Sequence, residues 1–149
     1  LFRYQIVIKA KKSLGQNFLI DQNILKKIVN ITEIKNKTVL EIGPGTGNLT
    51  AYILLKKPKK IFVIEKDKSL ATKLSNYFED KVNVINKDIL LVNEKKLDDD
   101  KFVVFGNLPY NISTKILSKW ILNLDKNIKI SRSAKTLGCV NKISKKNLA

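Results

Sequence analysis

Val39-Leu40-Glu41-Ile42-Gly43-Pro44-Gly45-Thr46-Gly47 is a short apolar run that breaks into three glycines at every second position. Lys37 to Ile42 reads as a buried strand. A helix follows at once, with Leu49, Tyr52 and Ile53 on one face and Pro58 closing it. A strand that ends in a glycine turn at a helix N-terminus holds a ligand against bare backbone.

Upstream, Asp21 predicts an N-cap for a helix over 22–30, where Ile24, Leu25, Ile28 and Val29 fall at helical spacing. Gly15-Gln16-Asn17 reads, by spacing alone, as a polar turn anchored by Phe18 and Leu19. Downstream, Lys60 to Glu65 is a second buried strand that ends in an acid. Leu70, Leu74, Tyr77 and Phe78 outline an amphipathic helix, and Val82 to Asn86 a third strand that leads into Lys87-Asp88. Asp98-Asp99-Asp100 reads as a solvated turn. Phe102 to Phe105 is a fourth strand that runs into Gly106-Asn107-Leu108-Pro109-Tyr110. Ser113 then predicts a cap for a helix bearing Ile116, Leu117, Trp120, Ile121 and Leu124.

This alternation predicts an open α/β fold of Rossmann type, with a parallel sheet and right-handed crossovers. Ligands of such sheets sit at the carboxyl ends of the strands. The glycine turn, Glu65, Asp88 and Asn107 all fall there.

The motif details separate the candidate ligands. A dinucleotide fingerprint needs a glycine at position 48, which is Asn, and a P-loop needs Gly-Lys-Ser/Thr, which is missing. Glu65 lies 20 residues beyond Gly45, the spacing of an acid that accepts from ribose hydroxyls. Both NAD and S-adenosylmethionine carry a ribose. Glu41, just ahead of the glycines, would repel a pyrophosphate but suit a ligand with an amino group and a sulfonium, which puts S-adenosylmethionine ahead. Asp88 stands where an adenine amino group could donate to it; as an isolated residue it is equally a surface acid.

In Asn107-Leu108-Pro109-Tyr110, an Asn oxygen and a backbone carbonyl can accept from a planar amine, Pro109 fixes the turn, and Tyr110 offers a face for a base. The bland alternative is a strand-to-helix turn with a packed Tyr. Methyl transfer from a sulfonium needs an in-line approach rather than a strong base, which suits a chain with no histidine.

Gly15-Gln16-Asn17-Phe18-Leu19, Glu41 to Gly47, Ile64-Glu65-Lys66-Asp67, Lys87-Asp88 and Gly106 to Ser113, in that order, resemble the ribosomal RNA adenine N6,N6-dimethyltransferases. Gly43-Pro44-Gly45 and Leu108 favour the small-subunit (16S, kasugamycin-sensitivity) type over the related 23S macrolide-resistance enzymes. The resemblance implies a Rossmann-like methyltransferase fold with S-adenosylmethionine as cofactor. It implies cofactor contacts at Asn17, Leu19, Gly43, Glu65, Asp88 and Asn107, with Gly45 and Gly47 shaping the turn. Asn107 and the Pro109 carbonyl would hold the target amine, and Tyr110 would stack on an adenine turned out of its helix. It also revises the reading of Gln16-Asn17, because in the family this segment closes over the cofactor. The implied partner is ribosomal RNA in the small subunit, during ribosome biogenesis, for a cytoplasmic protein expected to be a monomer without metal.

Composition agrees with a nucleic-acid partner. The 149 residues carry a formal net charge of +16, which an anionic membrane surface or simple solubility would explain less directly. Residues 1–38 hold eight Lys/Arg against two acids, and residues 123–149 seven against one. A single cysteine, Cys139, excludes an intrachain disulfide, and without histidine neither Ser-His nor Cys-His catalysis is available within the chain. No apolar run is long enough for a membrane-spanning helix.

The resemblance covers about residues 9–124. The expected organisation is a basic cofactor-closing segment over 1–20, a partial methyltransferase core over 21–124, and a basic tail over 125–149 with no convincing period. On this reading a truncated or frameshifted gene lacks the family's C-terminal strands and helical domain, which leaves the fourth strand as an exposed edge. A chain of that kind is expected to bind S-adenosylmethionine weakly and to methylate little. A non-catalytic RNA-binding or assembly factor on the same fold is the alternative function.

Overall fold

A computed structural model describes residues 21–106, 108, 110–122, 128–131 and 141–145, the last two segments as backbone. The elements run α1 (Gln22–Val29), β1 (Thr38–Ile42), α2 (Asn48–Leu55), β2 (Lys60–Glu65), α3 (Lys68–Phe78), β3 (Asn83–Asn86), β4 (Phe102–Gly106), α4 (Tyr110–Leu122), β5 (Ile128–Ser131) and β6 (Asn141–Lys145). Short 3-10 turns at Glu79–Lys81, Ile89–Leu91 and Glu94–Lys96 fill the connections.

The sheet order is β3-β2-β1-β4-β6-β5. Strands β3, β2, β1 and β4 are parallel, in the register Thr38↔Lys60 and Thr38↔Phe102, which bears out the α/β expectation. All five residues of β1 are buried, as a central strand covered on both faces must be. Alternation along the strands divides the core. Val39, Ile61, Val63, Val103 and Phe105 pack with Leu25, Ile28, Ile53, Leu74 and Phe78 from α1, α2 and α3. Leu40, Ile42, Ile64, Phe102 and Val104 pack with Ile89, Val92 and Ile116, the last from α4.

Several local readings hold. The Asp21 carboxylate accepts from the N–H groups of Asn23 and Ile24 at 2.8 and 3.2 Å, a cap worth about 1 kcal/mol. Others are corrected. Helix α4 begins at Tyr110, so Ser113 lies inside its first turn, where its hydroxyl is 3.4 Å from the Leu108 carbonyl. A proline just ahead of a helix is itself a start signal, and it outweighs the search for a hydroxyl cap. Ile121 is 57% exposed, because Ile112, Ile116 and Trp120 form the packed stripe at i, i+4 and i+8. Tyr77 is also largely outside the core and meets Phe78 edge to face, with ring centroids 4.8 Å apart.

Two corrections are larger. The tail that lacks a convincing period contains β5 and β6, which pair antiparallel. Strands of four and five residues hold too few positions for a period of two to stand out from the Lys, Ser and Asn around them. Strand β6 pairs antiparallel with β4 through Val103↔Lys142 and Val104↔Asn141, so β4 is not an edge. The acidic run is not merely solvated either. Asp98 takes a 2.6 Å ion pair from Lys60, while Asp100 accepts from Thr38 Oγ1 at 3.1 Å and Lys59 Nζ at 2.6 Å. The run thus ties the approach to β4 to the starts of β1 and β2. Lys60 and Lys59 hold the carboxyls of Asp98 and Asp100 below their ordinary range.

Candidate active site

Parallel pairing brings the C-terminal ends of β1, β2, β3 and β4 to one edge, and the turn after β1 lies at its centre. Gly43, Gly45 and Gly47 have φ of 64°, 58° and 81°. These left-handed values let the chain leave β1, reverse twice and enter α2 within five residues. The Gly43 N–H donates to the Ile64 carbonyl at 2.9 Å, and the Gly47 N–H closes a turn on the Pro44 carbonyl at 2.9 Å. Helix α2 then starts at this edge with no side-chain cap.

Glu65 meets this turn from β2. Its Oε2 accepts from the Gly45 N–H at 3.2 Å and its Oε1 from the Asp67 N–H at 2.8 Å. The side chain is 7% exposed, and burial pushes its carboxyl up from the ordinary value. The Asp67 carboxylate caps α3, accepting from the N–H groups of Ser69 and Leu70. Asn86, which sequence reasoning passed over, donates to the Glu65 carbonyl at 2.9 Å and to the Lys66 carbonyl at 3.2 Å. It pins the end of β2 from β3. Only its position at a strand end next to Lys87-Asp88 hinted at this.

Asp88 caps the 3-10 turn Ile89–Leu91 through the Leu90 N–H at 3.0 Å and pairs with Lys66 at 2.8 Å. Lys66 draws its carboxyl below the usual range. The loop beyond is braced against α4. Lys119 Nζ donates to the carbonyls of Ile89 and Val92 and to Glu94, and Trp120 Nε1 donates to the same Glu94 oxygen at 2.9 Å.

The loop after β4 reaches the same place. Gly106 pairs with Ile42, and Leu108 lies over the glycine turn, where a Cβ on Gly43 would come within 2.9 Å of Leu108 Cδ2. Tyr110 is 93% exposed. Asn17, Leu19, Asn107 and Pro109 lie outside the described residues. The described residues thus bring together Gly43, Gly45, Gly47, Glu65 and the loop after β4, with Asp88 joined through Lys66.

Glu41 corrects its expected role. It is 2% exposed, on the α1–α3 side of β1, and accepts a 2.6 Å hydrogen bond from Thr50 Oγ1 in the first turn of α2. It braces the turn from behind instead of facing a ligand. Burial raises its pKa to about 7, against the opposing bond from Thr50, with the Glu65 charge adding to the rise. The unfolded chain ionises Glu41 from about pH 4.5 while the fold keeps it protonated, so its contribution to stability is complete below that pH and is lost as pH rises toward 7. Glu41→Gln keeps a partner for Thr50 without a charge. It should unfold less readily than the parent above pH 7, by as much as about 3 kcal/mol, and the gap should close by pH 4.5. Urea titrations across pH 4.5–8.5 check this, and parallel curves would refute it.

Among the described residues no group of three or more His, Cys, Asp or Glu could hold a metal ion, and no helix is long and apolar enough to cross a membrane.

Comparison with known proteins gives a consistent set. A family model described as "Ribosomal RNA adenine dimethylase" matches residues 7–137. The "Ribosomal RNA small subunit methyltransferase A" of Pelagibacter ubique is 65% identical over 120 residues, which are 80% of this chain and 46% of that protein. Among solved structures, the 23S rRNA methyltransferase ErmE aligns with 72% of this chain and 43% of its own at 30% identity and a TM-score of 0.62. A dimethyladenosine transferase from Plasmodium falciparum aligns with 72% of this chain and 39% of its own at 32% identity and a TM-score of 0.59. The chain spans under half the length of each of these relatives.

Proposed function

The chain belongs to the ribosomal RNA adenine dimethylase family, and on that premise we propose that it binds S-adenosylmethionine and serves methyl transfer to the N6 amine of adenines in small-subunit ribosomal RNA. The observation that carries the reading is the meeting of a glycine-rich turn, a buried acid and the loop after β4 on one sheet edge.

The residues fit the cofactor. The turn at Gly43 leaves a space that a side chain would have to share with Leu108. Glu65 already receives backbone donors on both oxygens, and its remaining lone pairs suit ribose hydroxyls. Asp88 offers an acceptor to an exocyclic amine once Lys66 gives way. By family resemblance Asn17 and Leu19 would contact the cofactor, and Gly45 and Gly47 keep the turn in shape. When bound, the sulfonium supplies an electrophilic methyl group.

The chain's own residues present the nucleophile. Asn107 and the Pro109 carbonyl would accept from the adenine N6 hydrogens, which would hold the amine in place and leave its nitrogen lone pair free to act as the nucleophile. Tyr110, at the exposed start of α4, stacks on the base. The organisation proposed with this function is a cofactor-closing segment over 1–20, a core over 21–124 and a basic tail over 125–149 whose strands β6 and β5 extend the core sheet past β4, in a cytoplasmic monomer.

The test is calorimetric titration with S-adenosylmethionine and with NAD, together with transfer of labelled methyl groups to undermethylated 30S subunits. Saturable binding of the first alone is expected, and Asn107→Ala should lower transfer at least about 100-fold, the scale of a lost positioning contact. NAD binding would overturn the reading. RNA binding without cofactor binding would favour the non-catalytic alternative.

A further inference from the structure

The opposite edge of the sheet, where the strands begin, carries a feature that methyl transfer does not use. Lys59 and Lys37 stand side by side, since the Lys59 N–H donates to the Lys37 carbonyl at 2.9 Å. Lys101 precedes Phe102, the register partner of Thr38, so it neighbours Lys37 on the other side. Lysines at the starts of three adjacent strands form a row with steps of about 5 Å. Lys35 and the pair Lys56-Lys57 extend the row through the α1–β1 and α2–β2 connections, and both connections are exposed there. Asp98 and Asp100 answer Lys60 and Lys59, while Glu33 and Asp99 are the remaining acids of this edge. The edge stays positive, with seven lysines against four acids over Glu33–Lys37, Lys56–Lys60 and Asp98–Lys101.

The backbone supplies a second observation. Lys57 has φ of 53°, in the left-handed region that costs a β-carbon residue and favours glycine. It follows the C-cap Lys56 of α2, at the position where helices most often carry glycine. Its carbonyl accepts from the N–H of Asn36, itself left-handed at φ 58°, so the two connections are locked together at 3.1 Å. Lys56 already complements the α2 dipole, so the dipole does not require a second lysine at the strained position. Strain retained at a charged, exposed residue points to a use for that residue.

We propose that this strand-start edge is a second contact surface for the ribosomal RNA substrate, a row of lysines that holds the phosphate backbone roughly 16 Å, one strand length, from the methyl-transfer edge. It rests on the RNA-methylating reading above.

The test measures binding of fluorescently labelled, transcribed small-subunit rRNA to the full 149-residue chain from 50 to 250 mM salt. Removing Lys35, Lys57 and Lys101 together as glutamines should weaken binding at least about tenfold and flatten the slope of log K against log salt by 2 to 3, at about 0.7–0.9 per phosphate contact. The matched triple on α3 and the 3-10 turn after it, Lys68, Lys73 and Lys81 to glutamine, should change the slope by less than about one. Lys57→Gly should raise Tm by about 2–4 °C yet weaken RNA binding, a divergence that a merely structural lysine would not give. S-adenosylmethionine affinity should stay within twofold in every variant. Equal effects from the two triples, an unchanged slope, or loss of binding to anionic vesicles in place of RNA would overturn the proposal. Failure of the parent chain to bind the cofactor while the slope responds as expected would instead count against the methyltransferase reading and leave the RNA surface standing.

Discussion

Gly47→Ala is expected to lower Tm by roughly 5–15 °C for a chain of 149 residues. Two costs add. A β-carbon at φ 81° sits in the left-handed region, at about 1–2 kcal/mol. The same atom would meet Leu74 Cδ2 at 2.7 Å and Phe78 Cε2 at 2.8 Å. Both side chains are buried, at 1% and 5% exposure, so neither has room to swing away, and overpacking of this kind costs about 1–3 kcal/mol. Calorimetric scans check the shift, and a loss of less than 2 °C would mean that α3 moves more freely than its packing implies. Gly43→Ala offers the contrast. Its contact is the end of Leu108, which is only partly buried, so stability should fall less and cofactor binding more.

Glu65→Ala should weaken S-adenosylmethionine binding about 100-fold. A carboxylate that accepts from ribose hydroxyls contributes about 1.5–3 kcal/mol per bond, and a loss of near 3 kcal/mol corresponds to two decades in Kd. Glu65→Gln keeps one acceptor and should fall between. Stability should fall modestly with alanine, because the Gly45 and Asp67 N–H groups lose this acceptor, whereas loss of the charge itself costs nothing, since burial already holds this carboxyl above its ordinary pKa. Titration calorimetry paired with thermal scans separates the two effects. A Kd within threefold of the parent for the alanine variant would remove Glu65 from the site.

The sheet was legible because its strands are continuous β-branched runs bounded by glycine, proline or acid. Lys60–Glu65 was readable to the residue, since it needs to be buried on both faces and its ends are marked. The site was legible because parallel topology turns four sequence-distant loops into neighbours without any knowledge of contacts. What escaped the reading depends on long-range partners. Nothing local in Asp98-Asp99-Asp100 announces that Thr38, 62 positions earlier, takes one of its carboxylates. Glu41 looked like a ligand for a cation by its place beside the glycines, yet strand alternation alone puts it on the same face as Val39, under α2. Tyr77 and Ile121 fit a helical period as well as their neighbours do, and only the angle at which each helix meets the sheet excludes them. β5 and β6 are too short to rise above a lysine-rich background.

Leu108 fills the notch that Gly43 leaves, and it also lies within 3.3 Å of where a Cβ on Gly106 would stand. Positions 43, 106 and 108 are therefore one volume shared among three residues. Bulk added at either glycine must be surrendered at Leu108, so substitutions at these positions will combine non-additively. The loop after β4 and the turn after β1 cannot drift apart in sequence independently: a change in one shape is a change in the other.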